Sequence, residues 1–224
     1  MRTTGVLFAT SAASSLIYLL ARPLTAVEWP VMFKVLSILL LAVLGFRVSG
    51  LLGGALVLSS VGDFFLGVGR LGSLGEEALF LLGLSFFLIA HLFYIALFRK
   101  WLLSYWSKPG VARALGILVI VIALGSLLGM LRHSLGSLLI PVVVYALVLC
   151  GMGISAMLAD LGSSLSALGA LLFIASDAMI AVSKFRGTFW GHESIIWITY
   201  YLAQVFIVCG VAGHDSVSHI SARS

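Results

Sequence analysis

The chain has 224 residues, of which 62% are hydrophobic and only 9% charged, and its formal net charge is +5. A soluble domain is roughly a quarter charged, so too little polar surface exists to cover a core in water, and the solvent that fits is a lipid bilayer. The bases sit in short gaps between apolar runs with no basic run carrying interleaved aromatics, which argues against a nucleic-acid partner and suits anionic lipid head groups.

Within a bilayer every backbone N–H and C=O must be paired inside the protein, so the spans are helices or a closed barrel. Barrel strands alternate in and out over about ten residues. The unbroken runs Leu79–Phe98 and Ala112–Met130 show no such alternation and read as helices. At about 20 residues per span, the predicted helices are 5–21, 31–47, 50–69, 76–98, 111–131, 136–158, 164–184 and 193–213. The fold class is an all-α membrane protein of about eight transmembrane helices.

Met1–Ala21 opens with Arg2 and small residues, as a signal peptide does. Its apolar run continues through Leu19-Leu20, longer than a usual signal core, so an uncleaved first helix is expected. Turn chemistry fills the gaps: Arg22-Pro23 and Trp29-Pro30 in the first, Gly69-Arg70-Leu71-Gly72 in the third, Lys108-Pro109-Gly110 in the fourth and Phe185-Arg186-Gly187 in the seventh. No gap is long enough for a soluble domain. Residues 1–224 are therefore read as a single transmembrane domain with its function inside the membrane.

Arg2, Arg47, Arg99, Lys100, Lys108, Arg113 and Arg223 fall on one face, and Arg22, Lys34, Arg70, Arg132, Lys184 and Arg186 on the other. The densest cluster, Arg99 to Arg113, marks the cytoplasmic side, which puts both termini in the cytoplasm. A bacterial inner membrane suits the short loops. Cys150 and Cys209 both lie in apolar runs and read as inert buried thiols.

An internal repeat runs through the chain. Gly54–Asp63 (GALVLSSVGD) resembles Gly169–Asp177 (GALLFIASD), and Ser85–His91 (SFFLIAH) resembles Thr199–Gln204 (TYYLAQ) in the same order. Two four-helix halves result. An even number of spans per half makes them parallel repeats, with the third and seventh helices equivalent.

The chemistry-bearing residues follow from that repeat. Asp63 and Asp177 each have apolar neighbours and lie in the non-cytoplasmic half of their spans. A carboxylate at that depth costs several kcal/mol unless it is paired, hydrated or protonated. Two carboxylates, one holding a proton and one able to accept it, are the elements of general acid/base catalysis. Each aspartate read alone is equally a hydrogen-bonding group between helices.

His91 can orient a carboxylate, relay a proton, bind phosphate or bond to a backbone carbonyl. With no second His four residues on and no Cys-x-x-Cys, no metal site has local support. Lys34, on the aspartates' side, either pairs with a carboxylate or snorkels to the interface. Tyr94, Tyr145, Tyr200, Tyr201 and Gln204 are polar groups within spans, where interhelical hydrogen bonding is the default. Neither Gly-x-Ser-x-Gly nor a phosphate-loop pattern occurs.

In combination, Ala55–Leu66, Gly83–Phe98, Ile140–Leu149, Gly169–Ala181 and Thr199–Ile207 resemble the YhhN-like lysoplasmalogenase family, over a stretch from about Lys34 to the end of the eighth span. The resemblance implies eight helices and hydrolysis of the vinyl ether bond of a lysophospholipid, giving a fatty aldehyde and glycerophospho-choline or -ethanolamine; no cofactor and no metal are expected. It implies that Asp63 and Asp177 are the family's acidic pair, with Lys34, His91 and Tyr94 matching its lysine and histidine motifs. Tyr145, Ser176, Tyr200, Tyr201 and Gln204 are supporting candidates. Family members often carry proline three residues after the lysine, where this chain has Ser37. The alkenyl chain is expected among Phe64, Phe65, Phe86 and Phe87, with the head group toward the lysine. The rival reading is a proton-coupled transporter of a small lipid or solute, which also uses paired acids in a repeat fold.

Overall fold

The computed structural model describes residues 2–24, 28–69, 71–102 and 110–221, with residues 2 and 215–221 as backbone only. Arg70, Lys108, Pro109 and Arg223 of the predicted gaps lie outside the described residues. The helices are α1 (Arg2–Ala21), α2 (Val31–Val48), α3 (Gly50–Gly67), α4 (Glu76–Phe98), α5 (Val111–Leu131), α6 (Leu139–Leu158), α7 (Leu165–Phe185) and α8 (His192–Ser221). Among the described residues, eight helices are long and apolar enough to cross a membrane. The chain is an integral, multi-pass membrane protein.

Local sequence sets where these helices start and stop. Pro30 precedes α2, where a missing N–H costs no intrahelical bond. Gly187 (φ +115°) and Gly191 (φ +69°) turn the chain between α7 and α8 through left-handed backbone that disfavours other residues.

The chain forms two compact units, Met1–Tyr94 and Ile95–Ser224. In the first, α1 is held to α2 by the hydroxyls of Ser11 and Ser14, which donate to the carbonyls of Ser37 (2.8 Å) and Phe33 (2.9 Å). Lipid-facing helices gain little from apolar burial against each other, so close approach and interhelical hydrogen bonds do the binding. Glycines permit that approach between α2 and α3: a methyl at Gly45 would meet the backbone N of Gly53 at 3.0 Å, and one at Gly67 would meet Val31 Cγ1 at 2.7 Å. Against α4, a methyl at Gly62 would run into the Phe87 ring, and one at Gly54 into the Phe93 ring.

In the second unit, Gly116 lies under Met157 and Gly153 under Ile120 and Ile174, which joins α5, α6 and α7. The tightest crossing is α7 with α8. A methyl at Gly169 would sit 2.8 Å from the Ala203 carbonyl oxygen, and one at Gly210 would sit 2.7 Å from the Ser166 backbone N.

Candidate active site

In the first unit, Asp63 stands on α3 and Lys34 on α2. The Lys34 ammonium lies 3.0 Å from Asp63 Oδ1, and the side chains are only 13% and 2% exposed. The register explains the meeting. With Val31 seated over Gly67 and Gly45 against Gly53, the antiparallel helices bring Lys34 opposite Asp63, one turn in from their shared end. The lysine is therefore a partner for the buried charge and does not simply reach for the interface. Ser37 sits where the proline is often found. Its hydroxyl donates to the Lys34 carbonyl at 2.7 Å, and its own carbonyl accepts from Ser11.

The same unit holds His91 and Tyr94, both fully buried on α4. Beside Asp63 in sequence, Phe65 stacks on Phe86 (centroids 5.5 Å, planes 11° apart), and Phe64 meets Phe65 edge-on at 5.4 Å. Phe87 is buried over Gly62. Phe65 and Phe86 thus stack across α3 and α4, with Phe64 edge-on to Phe65 and Phe87 over Gly62.

In the second unit, Asp177 on α7 accepts a hydrogen bond from the Tyr145 phenol on α6, with 2.5 Å between Tyr145 Oη and Asp177 Oδ2. Tyr145 is buried and Asp177 half-buried. The pattern of the first unit recurs: the third helix carries the aspartate and the second supplies its partner. Gln204 is fully buried and donates from Nε2 to the Tyr200 hydroxyl at 3.1 Å. Tyr200 packs edge-on against Phe173 at 5.3 Å and tilted against Trp197 at 5.6 Å, and Tyr201 lies 5.8 Å from Trp197. Ser176, next to the aspartate in sequence, turns the other way and donates to the Ile196 carbonyl at 3.1 Å, fastening α7 to α8.

Lys34 is thus brought to Asp63, Tyr145 to Asp177 and Gln204 to Tyr200. His91 and Gln204, which align in the two similar sequence segments, are both fully buried. Two residues gave no functional signal in the sequence reading. Glu28 accepts the Gly69 backbone N–H at 2.6 Å and ties the loop before α2 to the end of α3, near the Lys34–Asp63 pair. Ser59 is fully buried four residues before Asp63, a spacing that puts both on one face of α3. That spacing was the available clue. Among the described residues, no three His, Cys, Asp or Glu side chains gather as a metal-ligand group.

Residues 29–211 match the YhhN family. A protein named lysoplasmalogenase from Mycobacterium bovis is 34% identical over 161 residues, covering 70% of this chain and 58% of that protein. One of the same name from Mycobacterium tuberculosis shows the same identity and coverage. Human lysoplasmalogenase TMEM86B is 35% identical over 159 residues, covering 70% of this chain and 61% of the human protein. The match therefore spans about three fifths of these curated relatives. No solved structure matches the chain. The matched segment carries Lys34, Asp63, His91, Tyr145, Asp177 and Gln204, and on it the chain belongs to the YhhN family.

Proposed function

We propose that this protein is a lysoplasmalogenase, a membrane-embedded hydrolase that converts a lysophospholipid with a vinyl ether chain into a fatty aldehyde and the glycerophospho head group. The observation that carries the reading is that each of the two intramembrane aspartates is met by a polar side chain of the preceding helix. Asp63 faces an ammonium at 3.0 Å, and Asp177 faces a neutral phenol at 2.5 Å. The names of the mycobacterial and human relatives support the same reaction.

In this reading the two aspartates take different roles. Hydrolysis starts with a proton delivered to the carbon β to the ether oxygen, and a resonance-stabilised oxocarbenium ion forms. Asp177, which accepts the Tyr145 phenol, is the proton donor. Asp63, whose charge is balanced by Lys34, stays a carboxylate, stabilises the cation and takes a proton from the attacking water. The hemiacetal then collapses. Its hydroxyl proton returns to Asp177, the leaving glycerol oxygen takes the proton held by Asp63, and both carboxyl groups are restored.

The alkenyl chain lies along Phe64, Phe65, Phe86 and Phe87, and the head group lies toward Lys34. His91, Tyr94, Tyr200, Tyr201 and Gln204 support the aspartates from neighbouring helices. Residues 1–224 act as one transmembrane domain in a bacterial cell membrane, surrounded by membrane lipids, with both termini cytoplasmic. The basic cluster at Arg99, Lys100, Lys108 and Arg113 supports that orientation.

The test is aldehyde release from a lysoplasmenyl lipid by purified protein, with Asp63→Asn and Asp177→Asn beside the wild type. Release by the wild type and near-complete loss in both variants supports the reading. Turnover retained by either variant removes that aspartate from the acid/base pair.

A further inference from the structure

We infer that Ser59 and Asp63 together hold the attacking water, so that Ser59 is a water-positioning residue of the hydrolytic step. The inference deepens the proposed hydrolase function and rests on it.

Ser59 is 0% exposed, and its hydroxyl has no hydrogen-bond partner among the described residues. A buried hydroxyl left without a partner costs free energy, so its presence calls for a bound polar group. The neighbouring serine shows the contrast. Ser60 is also buried, but its hydroxyl donates to the Val57 carbonyl at 2.8 Å and closes its own account within α3.

The place of Ser59 gives that polar group its identity. Residues four apart on a helix share a face, with Cβ atoms about 5–6 Å from each other. One water makes two hydrogen bonds of about 2.8 Å each. A single water therefore spans from Ser59 Oγ to the carboxylate of Asp63. An ordered buried water needs about three polar partners, and the Lys34 ammonium at Asp63 Oδ1 brings a further charge to the same carboxylate.

The helix register puts this water beside the chain-binding phenylalanines. Gly62 lies against Phe87 and Gly83, and Gly54 lies against Phe93. α3 and α4 are thus antiparallel, with Ser59 at the level of Phe87 to His91. In the reaction, Ser59 accepts or donates one hydrogen bond to the water and aims its lone pair at the oxocarbenium carbon. The O–H bond breaks toward Asp63 as the C–O bond forms, and Ser59 itself is unchanged.

The test compares Ser59→Ala with Ser60→Ala and Asp63→Asn in detergent, measuring kcat, KM and melting temperature on a lysoplasmenyl lipid. The expected result for Ser59→Ala is a kcat lower by about tenfold, the loss of one hydrogen bond to the water, with KM and melting temperature unchanged. Ser60→Ala keeps the wild-type kcat. A merely structural hydroxyl with no partner behaves oppositely: its removal leaves kcat intact and does not lower the melting temperature. Wild-type kcat in Ser59→Ala beside an inactive Asp63→Asn overturns the water site and leaves the hydrolase reading standing. Equal loss in Ser59→Ala and Ser60→Ala, or a kcat loss that tracks a lower melting temperature, also overturns it. An active Asp63→Asn overturns the parent reading instead.

Discussion

Tyr145 on α6 donates its phenol hydrogen to Asp177 on α7 across 2.5 Å, and this contact ties a buried residue of one helix to the acidic residue of the next. A phenol that donates to one carboxyl oxygen orients the carboxyl group for the proton-transfer step. Tyr145→Phe removes that hydroxyl while keeping the ring. The expected result is a kcat lower by about tenfold or more with KM little changed, since the lost bond serves the proton-transfer step. Steady-state kinetics on a lysoplasmenyl lipid reads this. A raised KM at unchanged kcat would show instead that Tyr145 binds the head group.

The Lys34–Asp63 pair makes a prediction about stability. Removing one member of a buried pair leaves an uncompensated charge and costs about 3–5 kcal/mol, whereas removing both often costs little. Lys34→Met should therefore lower the melting temperature in detergent and abolish turnover. Lys34→Met with Asp63→Asn should recover most of the melting temperature and none of the turnover. Thermal unfolding and aldehyde release, measured on the same samples, separate the two effects.

The α7–α8 crossing makes a third. A methyl at Gly169 or Gly210 would press on backbone atoms of the facing helix, which cannot swing aside as a side-chain tip can. Overpacking of this kind costs about 1–3 kcal/mol. Gly169→Ala and Gly210→Ala should each lower the melting temperature by about 5 °C. Gly125→Ala should not, because nothing lies within 4 Å of that position.

Orientation gives a fourth. Val111 and Thr188 are exposed at opposite ends of the spans, Val111 beside the basic cluster and Thr188 in the turn after α7. In spheroplasts, a membrane-impermeant maleimide should label Thr188→Cys and should label Val111→Cys only after lysis. The reverse pattern inverts the proposed topology.

The helices were legible in the sequence because a bilayer admits few other solutions: long apolar runs broken by Pro, Gly and Arg leave no alternative to a helix. The two aspartates were legible for the same reason, since a charge in an apolar run stands out wherever it is. Their partners were less so. Lys34 near a span end is compatible with snorkelling, and only the Val31–Gly67 and Gly45–Gly53 register turns it toward Asp63. Tyr145 looked like one of several interior tyrosines, because the α6–α7 packing that aims it at Asp177 depends on contacts 32 residues apart. Ser176 illustrates the opposite failure. Adjacent to Asp177 in sequence, it points a different way around the helix and serves the α8 backbone. Glu28 was silent because a single acid in a short gap carries no pattern, and its role emerges only from the Gly69 N–H it accepts.

The most direct measurement is mass-spectrometric detection of fatty aldehyde and free glycerophospho head group from purified protein over a panel of lysolipids, with Asp63→Asn and Asp177→Asn as controls. The predicted result is stoichiometric release from lysoplasmenyl lipids by the wild type and none from either variant. Unchanged lysolipid in the wild-type reaction, with transport of that lipid across proteoliposomes, would contradict the hydrolase and favour the transporter.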